Sequence, residues 1–431
     1  MKNSGKLFLL LSGIAAVVLL VGIAMQNAAL YKPFAIATAV CLAIGLGSVP
    51  SLKGYQYTAW IIAAVVAGMV FPEAFKNWGG VNLRDKTLIL VIIQLVMFGM
   101  GTHMSLKDFS GLASTGKGVL VGLFCHFSIM PLMGLLLTKV FQFEPAIAAG
   151  IILIGSCSSG LASNVMVYLA KANLVLSVIV TAMATLVAPL LTPLLMKTLA
   201  GTLIEIKFID MMMEIIKIVL VPIGAALLHD FLKRATTAQK KKVNIITVFS
   251  AAWIAVIIFF LHKSISDAGL LQSITLSGFF AGAVIAGVLY HWLWVKFPKL
   301  DSIMPLISMF GIIYFTTVTT AAGRENLMKV GVLLFIASVV HNAAGYFFGY
   351  WLSRLFGMDK NSSRTIAFEV GLQNGGMASG IAGSMGKLGT VGLAAAVFSP
   401  WMNISGSLLA NYWRRRPVEL QRQEDTKEHK D

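Results

Sequence analysis

Two stretches of this chain interrupt otherwise apolar sequence with residues able to do chemistry. The first reads Gly155-Ser-Cys-Ser-Ser-Gly-Leu-Ala-Ser-Asn164, and the second Gly371-Leu-Gln-Asn-Gly-Gly-Met-Ala-Ser-Gly380. Laid side by side without gaps, they share Gly155 with Gly371, Gly160 with Gly376, Ala162 with Ala378 and Ser163 with Ser379. Each follows a span that carries a histidine at nearly the same distance, His126 before the first and His341 before the second. Glycine and serine at bilayer depth release backbone N–H and C=O groups from the helical ladder, which is tolerated only where protein or a polar cavity satisfies them. Broken helices at matching positions of two halves point to a transporter's binding site. Half-helix N-termini favour an anion, while freed carbonyls and side-chain oxygens favour a hard cation such as sodium. Small residues also let helices pack closely, but the matched pair favours a site.

Glu369 lies two residues before the second stretch, inside an apolar span. An ionisable group there costs about 2.5–3.5 kcal/mol on insertion scales and usually marks an ion or proton path. His126 sits mid-span, where a lone histidine serves packing as often as function. His341, followed by Asn342, reads as a structural partner to a neighbouring helix.

The elements that must position these groups are membrane helices. Of 431 residues, 57% are hydrophobic and 12% charged, against about 25% charged in an ordinary soluble domain. A bilayer core of about 30 Å needs roughly 20 apolar residues per helix. Fourteen candidate spans recur, at about 7–25, 33–49, 56–72, 87–104, 118–140, 145–170, 173–196, 211–229, 244–262, 273–294, 302–322, 330–353, 365–386 and 389–411. With the N-terminus cytoplasmic, about twice as many Lys and Arg fall inside as outside, as the positive-inside rule requires. The net charge of +16 is therefore topological and implies no nucleic acid. On this topology the Gly155 helix starts outside and the Gly371 helix inside, so the two stretches form an inverted repeat.

The run Leu7–Met25 resembles a signal sequence, but its apolar core is long and no small-residue cleavage site follows, so it reads as a retained helix. Cys41, Cys125 and Cys157 all lie in apolar spans and imply no disulfide framework. Zinc-protease, nucleophile-elbow and Walker-type motifs are absent, which argues against an enzyme and against nucleotide-driven transport.

In Gly160-Leu-Ala-Ser-Asn-Val-Met-Val-Tyr-Leu-Ala-Lys171, Ala188-Pro-Leu-Leu-Thr-Pro193 and Glu369-Val-Gly-Leu-Gln-Asn374 the sequence resembles the bile acid:sodium symporter family. The resemblance covers roughly residues 56–229 and 302–412. It implies an all-α core of two inverted five-helix repeats whose fourth and ninth helices are broken and cross near the midplane. It also implies coupling of sodium influx to uptake of bile acids, pantoate-like acids or other organic anions. By position, Ser163, Asn164, Ser177, Thr181 and Glu369 match a first sodium site. A second maps to Glu369, Val370, Leu372 and Gln373, with His126 standing where the family has a glutamine. That substitution puts the second site in doubt: an imidazole is a weaker sodium partner than an amide oxygen and titrates near neutral pH.

The expected organisation is an accessory helix pair (1–55), a first repeat (56–199), the start of the second (200–232), an inserted helix pair (233–300), the rest of the second repeat (301–412) and a cytoplasmic tail (413–431). The expected function is sodium-coupled symport of a small organic anion across an inner membrane, by alternating access, with both termini cytoplasmic. Na+ is the coupling ion, and the partners are the substrate, sodium and membrane lipid, with no oligomeric state implied. The substrate is expected near Ser158, Ser159, Asn374 and Gly375. Alternatives are a proton-coupled carrier using His126 and Glu369, an efflux carrier of related architecture, and a membrane-embedded receptor or enzyme.

Overall fold

A computed structural model describes residues 2–49, 52–107, 112–261, 265 and 267–418. The expected tail lies, beyond Val418, outside the described residues. The chain is all-helical apart from a small antiparallel hairpin, Asn77–Trp78 with Val81–Asn82.

The helices begin with α1 (Lys2–Ala24), α2 (Ala28–Gly47), α3 (Gln56–Val70), α4 (Lys86–Gly101) and α5 (Leu112–Phe141). There follow α6 (Pro145–Ser156), α7 (Leu161–Leu169), α8 (Leu174–Leu195), α9 (Phe208–Ile215), α10 (Val221–Arg234) and α11 (Thr237–Val256). The chain ends with α12 (Ala268–Lys296), α13 (Leu300–Ala322), α14 (Arg324–Leu355), α15 (Lys360–Gly371), α16 (Gly375–Ser384) and α17 (Leu393–Arg414). A π turn at Ile216–Leu220 joins α9 to α10 without a break. Among the described residues, ten helices are long and apolar enough to cross a membrane; α3, α4 and α6 are shorter apolar helices.

Local sequence sets the helix starts. Side chains of Asn27, Asp85, Asn173, Asp267, Asp359 and Asn374 accept from first-turn N–H groups, and Thr236 with Gln239 forms a capping box. The spans expected at 145–170 and 365–386 are each interrupted at the Gly- and Ser-rich stretch, as the sequence predicts, and form two helices apiece. Serine hydroxyls compete for backbone groups and glycine is a poor helix former, so α6 stops at Ser156 and α15 at Gly371. Cys157 and Gly160 are extended, and so is Leu372.

These two interrupted helices are the centre of the protein. Every residue from Ile147 to Ser156 of α6 and from Ser362 to Gly371 of α15 is buried; α6 is apolar nearly all round, as a buried helix is expected to be, whereas α15 buries Ser362, Ser363, Arg364, Thr365 and Glu369 as well. Only 17% of the apolar stretch of α1, 11% of that of α11 and 17% of that of α12 is buried, so these helices face lipid. The α1–α2 pair packs on α3, and α12 packs on α10 and α11.

Close approach at the centre depends on missing side chains. A Cβ at Gly345 of α14 would come within 2.8 Å of Gly371 Cα and 2.7 Å of Met130 Sδ. Gly345→Ala should therefore destabilise by about 1–3 kcal/mol, the usual cost of overpacking. Gly224→Ala, where a Cβ meets open space, should be neutral or mildly stabilising. Thermal midpoints of the two variants in detergent, compared with the parent chain, check this contrast.

Candidate functional site

The two helix breaks meet. Gly160 N–H donates to Leu372 O at 2.9 Å and Asn374 N–H donates to Ser158 O at 2.9 Å, so Ser159 and Gln373 form an antiparallel bridge. Backbone released in one helix is thus satisfied by backbone released in the other. Asn342 Nδ2 donates to Gly371 O at 2.8 Å, and His341 Nε2 stands 2.9 Å from Met130 O. His341 and Asn342 serve as structural partners to neighbouring helices.

Glu369, in the last turn of α15, is fully buried at this crossing. Its Oε1 is 2.5 Å from Ser177 Oγ, and its Oε2 is 2.6 Å from Ser159 Oγ and 2.8 Å from Thr181 Oγ1. Asn164 Oδ1 lies 2.7 Å from Ser177 Oγ and 3.1 Å from Thr181 Oγ1. Ser159 and Thr181 hydroxyls are 3.2 Å apart. The elements explain the convergence: Ser177 and Thr181 are one turn apart on one face of α8, Asn164 opens α7, and Ser159 hangs from the break itself.

A proton count shows what this nest can hold. Each hydroxyl has one proton to donate, so Ser159, Ser177 and Thr181 supply three to the six oxygen–oxygen contacts just given. With Asn164 presenting its Oδ1, even a protonated Glu369 would leave two contacts with lone pair facing lone pair. No Lys or Arg pairs with Glu369 among the described residues. Excess oxygen, one formal negative charge and no cationic side chain suit a hard cation. Ser163 sits at the rim, donating to Gly160 O at 2.8 Å, with Thr181 Oγ1 at 3.4 Å.

The second expected set is arranged differently. His126 Nδ1 is 2.9 Å from Glu369 O, and Nε2 is 2.8 Å from Cys157 O. The imidazole therefore spans both breaks and occupies carbonyls that an ion would need. Val370 and Leu372 are buried, and Gln373 Nε2 donates to Val370 O at 2.6 Å while its Oε1 is buried without a partner.

Beside the nest lies a cavity of about 590 Å³, within the range of small-molecule sites. Asn164, Thr181, Gln373, Asn374 and Gly375 line it, and so do Tyr57, His103 and Asn403. Ser158 and Ser159 do not, because Ser159 turns to Glu369 and Ser158 Oγ faces Thr185 and Met377. No Lys, Arg, Asp or Glu belongs to the lining among the described residues. Asn374 caps α16 through its Oδ1, and its Nδ2 is buried and unpartnered. Sequence reasoning missed His103 and Asn403. An amide and an imidazole near the ends or middle of apolar helices were the available signal.

Comparison with known proteins follows this geometry. The family model described as Sodium Bile acid symporter family matches residues 89–266. The chain is 31% identical over 365 residues to the uncharacterized sodium-dependent transporter YocS of Bacillus subtilis (strain 168), covering 84% of this chain and 92% of that protein. It is 28% identical over 360 residues to the probable sodium/metabolite cotransporter BASS1, chloroplastic, of Arabidopsis thaliana, covering 83% and 73%. The human ileal sodium/bile acid cotransporter is 28% identical over 310 residues, covering 72% of each chain. An all-helical membrane chain with this likeness, over most of both lengths, belongs to the sodium bile acid symporter family.

Proposed function

We propose that this chain is a sodium-coupled secondary transporter that carries a small organic anion by alternating access. The observation that carries the reading is that Asn164 and Thr181 belong both to the oxygen nest and to the cavity wall. One pair of side chains then contacts the ion on one side and borders the substrate on the other. Sodium bound among Ser163, Asn164, Ser177, Thr181 and Glu369 would neutralise the Glu369 carboxylate and leave the cavity attractive to an anion. Positive charge for that anion comes from backbone N–H groups at the starts of α7 and α16 and from the free amide of Asn374, with Gly375 beside it.

The architecture we propose is an inverted repeat, 56–199 against 200–232 with 301–412. The broken pairs α6–α7 and α15–α16 would each form one span. Together with α3, α4 and the ten long helices they would make fourteen crossings, four of them accessory helices in 1–55 and 233–300. Termini are assigned to the cytoplasmic side of an inner membrane from the Lys and Arg distribution.

Glu369→Gln keeps the shape of the side chain but removes the charge that binds the ion. Sodium-driven uptake in proteoliposomes should vanish while the variant inserts and purifies normally; uptake at the parent rate would refute the assignment. Thr181→Val keeps volume and loses one oxygen ligand. An interaction of about 1–1.5 kcal/mol corresponds to about a tenfold rise in the sodium concentration for half-maximal stabilisation, and an unchanged titration would remove Thr181 from the site.

For the second set we propose that His126 takes the place of an ion, so that one sodium moves per cycle. The ring nitrogens stand 2.9 Å from Glu369 O and 2.8 Å from Cys157 O, so a cation could reach those two carbonyls only by displacing the ring, whichever nitrogen carries the proton. Uptake by the parent chain should depend on sodium without cooperativity, and His126→Gln should make that dependence steeper. Identical sodium curves would show His126 to be packing alone. A pH dependence lost in His126→Gln would instead favour the proton-coupled reading.

A further inference from the structure

A second cavity, of about 710 Å³, lies away from the crossing on the outer face of α14 and α17. Its walls are aromatic: Tyr346, Tyr350, Trp351, Trp401, Tyr412 and Trp413 line it. The polar groups on its floor are already paired with one another. Asn342 Oδ1 accepts from Ser405 Oγ at 2.5 Å, and Tyr346 OH stands 3.2 Å from the same hydroxyl. Trp351 and Leu408 on its rim are more than half exposed, so the groove opens toward lipid.

Two arginines stand against the rings of Trp413 and Tyr412 at one end of the groove, outside its lining. Arg364 is only 3% exposed, and its guanidinium carbon stands 5.5 Å from the Trp413 ring centre. Its Nη2 donates to Arg416 O at 2.8 Å, whereas Nη1 is buried without a partner. The Arg416 guanidinium stands 4.5 Å from the ring centre of Tyr412. No acidic side chain pairs with Arg364 or Arg416 among the described residues. A buried cation with an unused donor calls for an anion.

The dimensions select the kind of anion. From Trp401 to Trp413 the helix advances by about 18 Å, at about 1.5 Å per residue, and half of a hydrocarbon core is about 15 Å. A groove of that length matches one leaflet, a placement that would put the arginines at headgroup level and the aromatic trough at acyl-chain depth. We propose that it binds one anionic phospholipid, with the phosphate against Arg364 and Arg416 and an acyl chain along the Trp401–Trp413 face of α17. Basic pockets between membrane helices recognise headgroups in this way. The site shares no residue with the ion nest or the central cavity, so it stands independently of the transport reading.

The test compares thermal midpoints of the detergent-purified full chain with added phosphatidylglycerol, with phosphatidylcholine of the same acyl chains, and with inorganic phosphate. Phosphatidylglycerol should raise the midpoint more than phosphatidylcholine does, and phosphate should not raise it. Ala343, exposed on the groove wall, gives a variant that fills the trough without touching the core: Ala343→Trp should lose the phosphatidylglycerol increment. Arg364→Gln should reduce that increment to the phosphatidylcholine level, and Arg416→Gln at the accessible mouth gives the same reading should the buried substitution fail to fold. Equal stabilisation by both lipids, an increment reproduced by phosphate alone, or an increment that survives Ala343→Trp would each overturn the proposal.

Discussion

Two lengths of backbone leave the helical ladder inside the membrane, and each supplies the hydrogen bonds that the other has lost. An unsatisfied peptide group in an apolar medium costs several kilocalories per mole, so neither break is stable without its partner. The Gly160–Leu372 and Asn374–Ser158 bonds therefore fix where α6 and α15 cross. Much of the surrounding fold answers to that requirement. Both helices must be buried on every side, α14 must approach closely enough for Gly345 to touch Gly371, and Asn342 must reach Gly371 O. The His126 ring adds a third tie, spanning Glu369 O and Cys157 O.

The same crossing concentrates oxygen. Ser159, in one break, meets Glu369, in the last turn of α15 before the other, and α8 brings Ser177 and Thr181 to the same point. A buried carboxylate with no cationic side chain among the described residues is costly; Ser159, Ser177 and Thr181 can each donate to it, which leaves no hydroxyl proton for Asn164 Oδ1 or for the Ser159–Thr181 contact. On the proposed reading, a bound cation would take up the oxygen lone pairs that these protons leave uncovered.

Much of this was legible in the sequence because it rests on local pattern. The Gly-Ser stretches announce the breaks, Glu369 stands out in apolar surroundings, and the four-residue step from Ser177 to Thr181 places both on one helix face. Other features depend on the crossing angle and had no local signature. Ser159 reads like its neighbour Ser158, but only Ser159 reaches Glu369; which serine turns toward the carboxylate is decided by the bridge to Gln373. Asn403 and His103 join the cavity from α17 and from the end of α4, through packing that no spacing encodes. The aromatic groove was equally hidden, since its residues come from two helices that would each pass as a lipid-facing stripe.

Coupling of ion to substrate needs no long-range path in such a site. Asn164 and Thr181 separate the nest from the cavity by the thickness of one side chain, and at that distance in a medium of low dielectric two charges interact strongly. On the proposed reading, an unfilled nest leaves the Glu369 carboxylate to repel an anion in a cavity with no Lys or Arg among its described lining residues. A cation in the nest removes the repulsion and frees the helix N-termini to attract. By reciprocity, a bound anion must raise the affinity for the cation by the same factor. On that reading, the absence of a cationic side chain from the described cavity wall serves coupling: a fixed lysine there would bind the anion whether or not the ion were present, and the two would move independently.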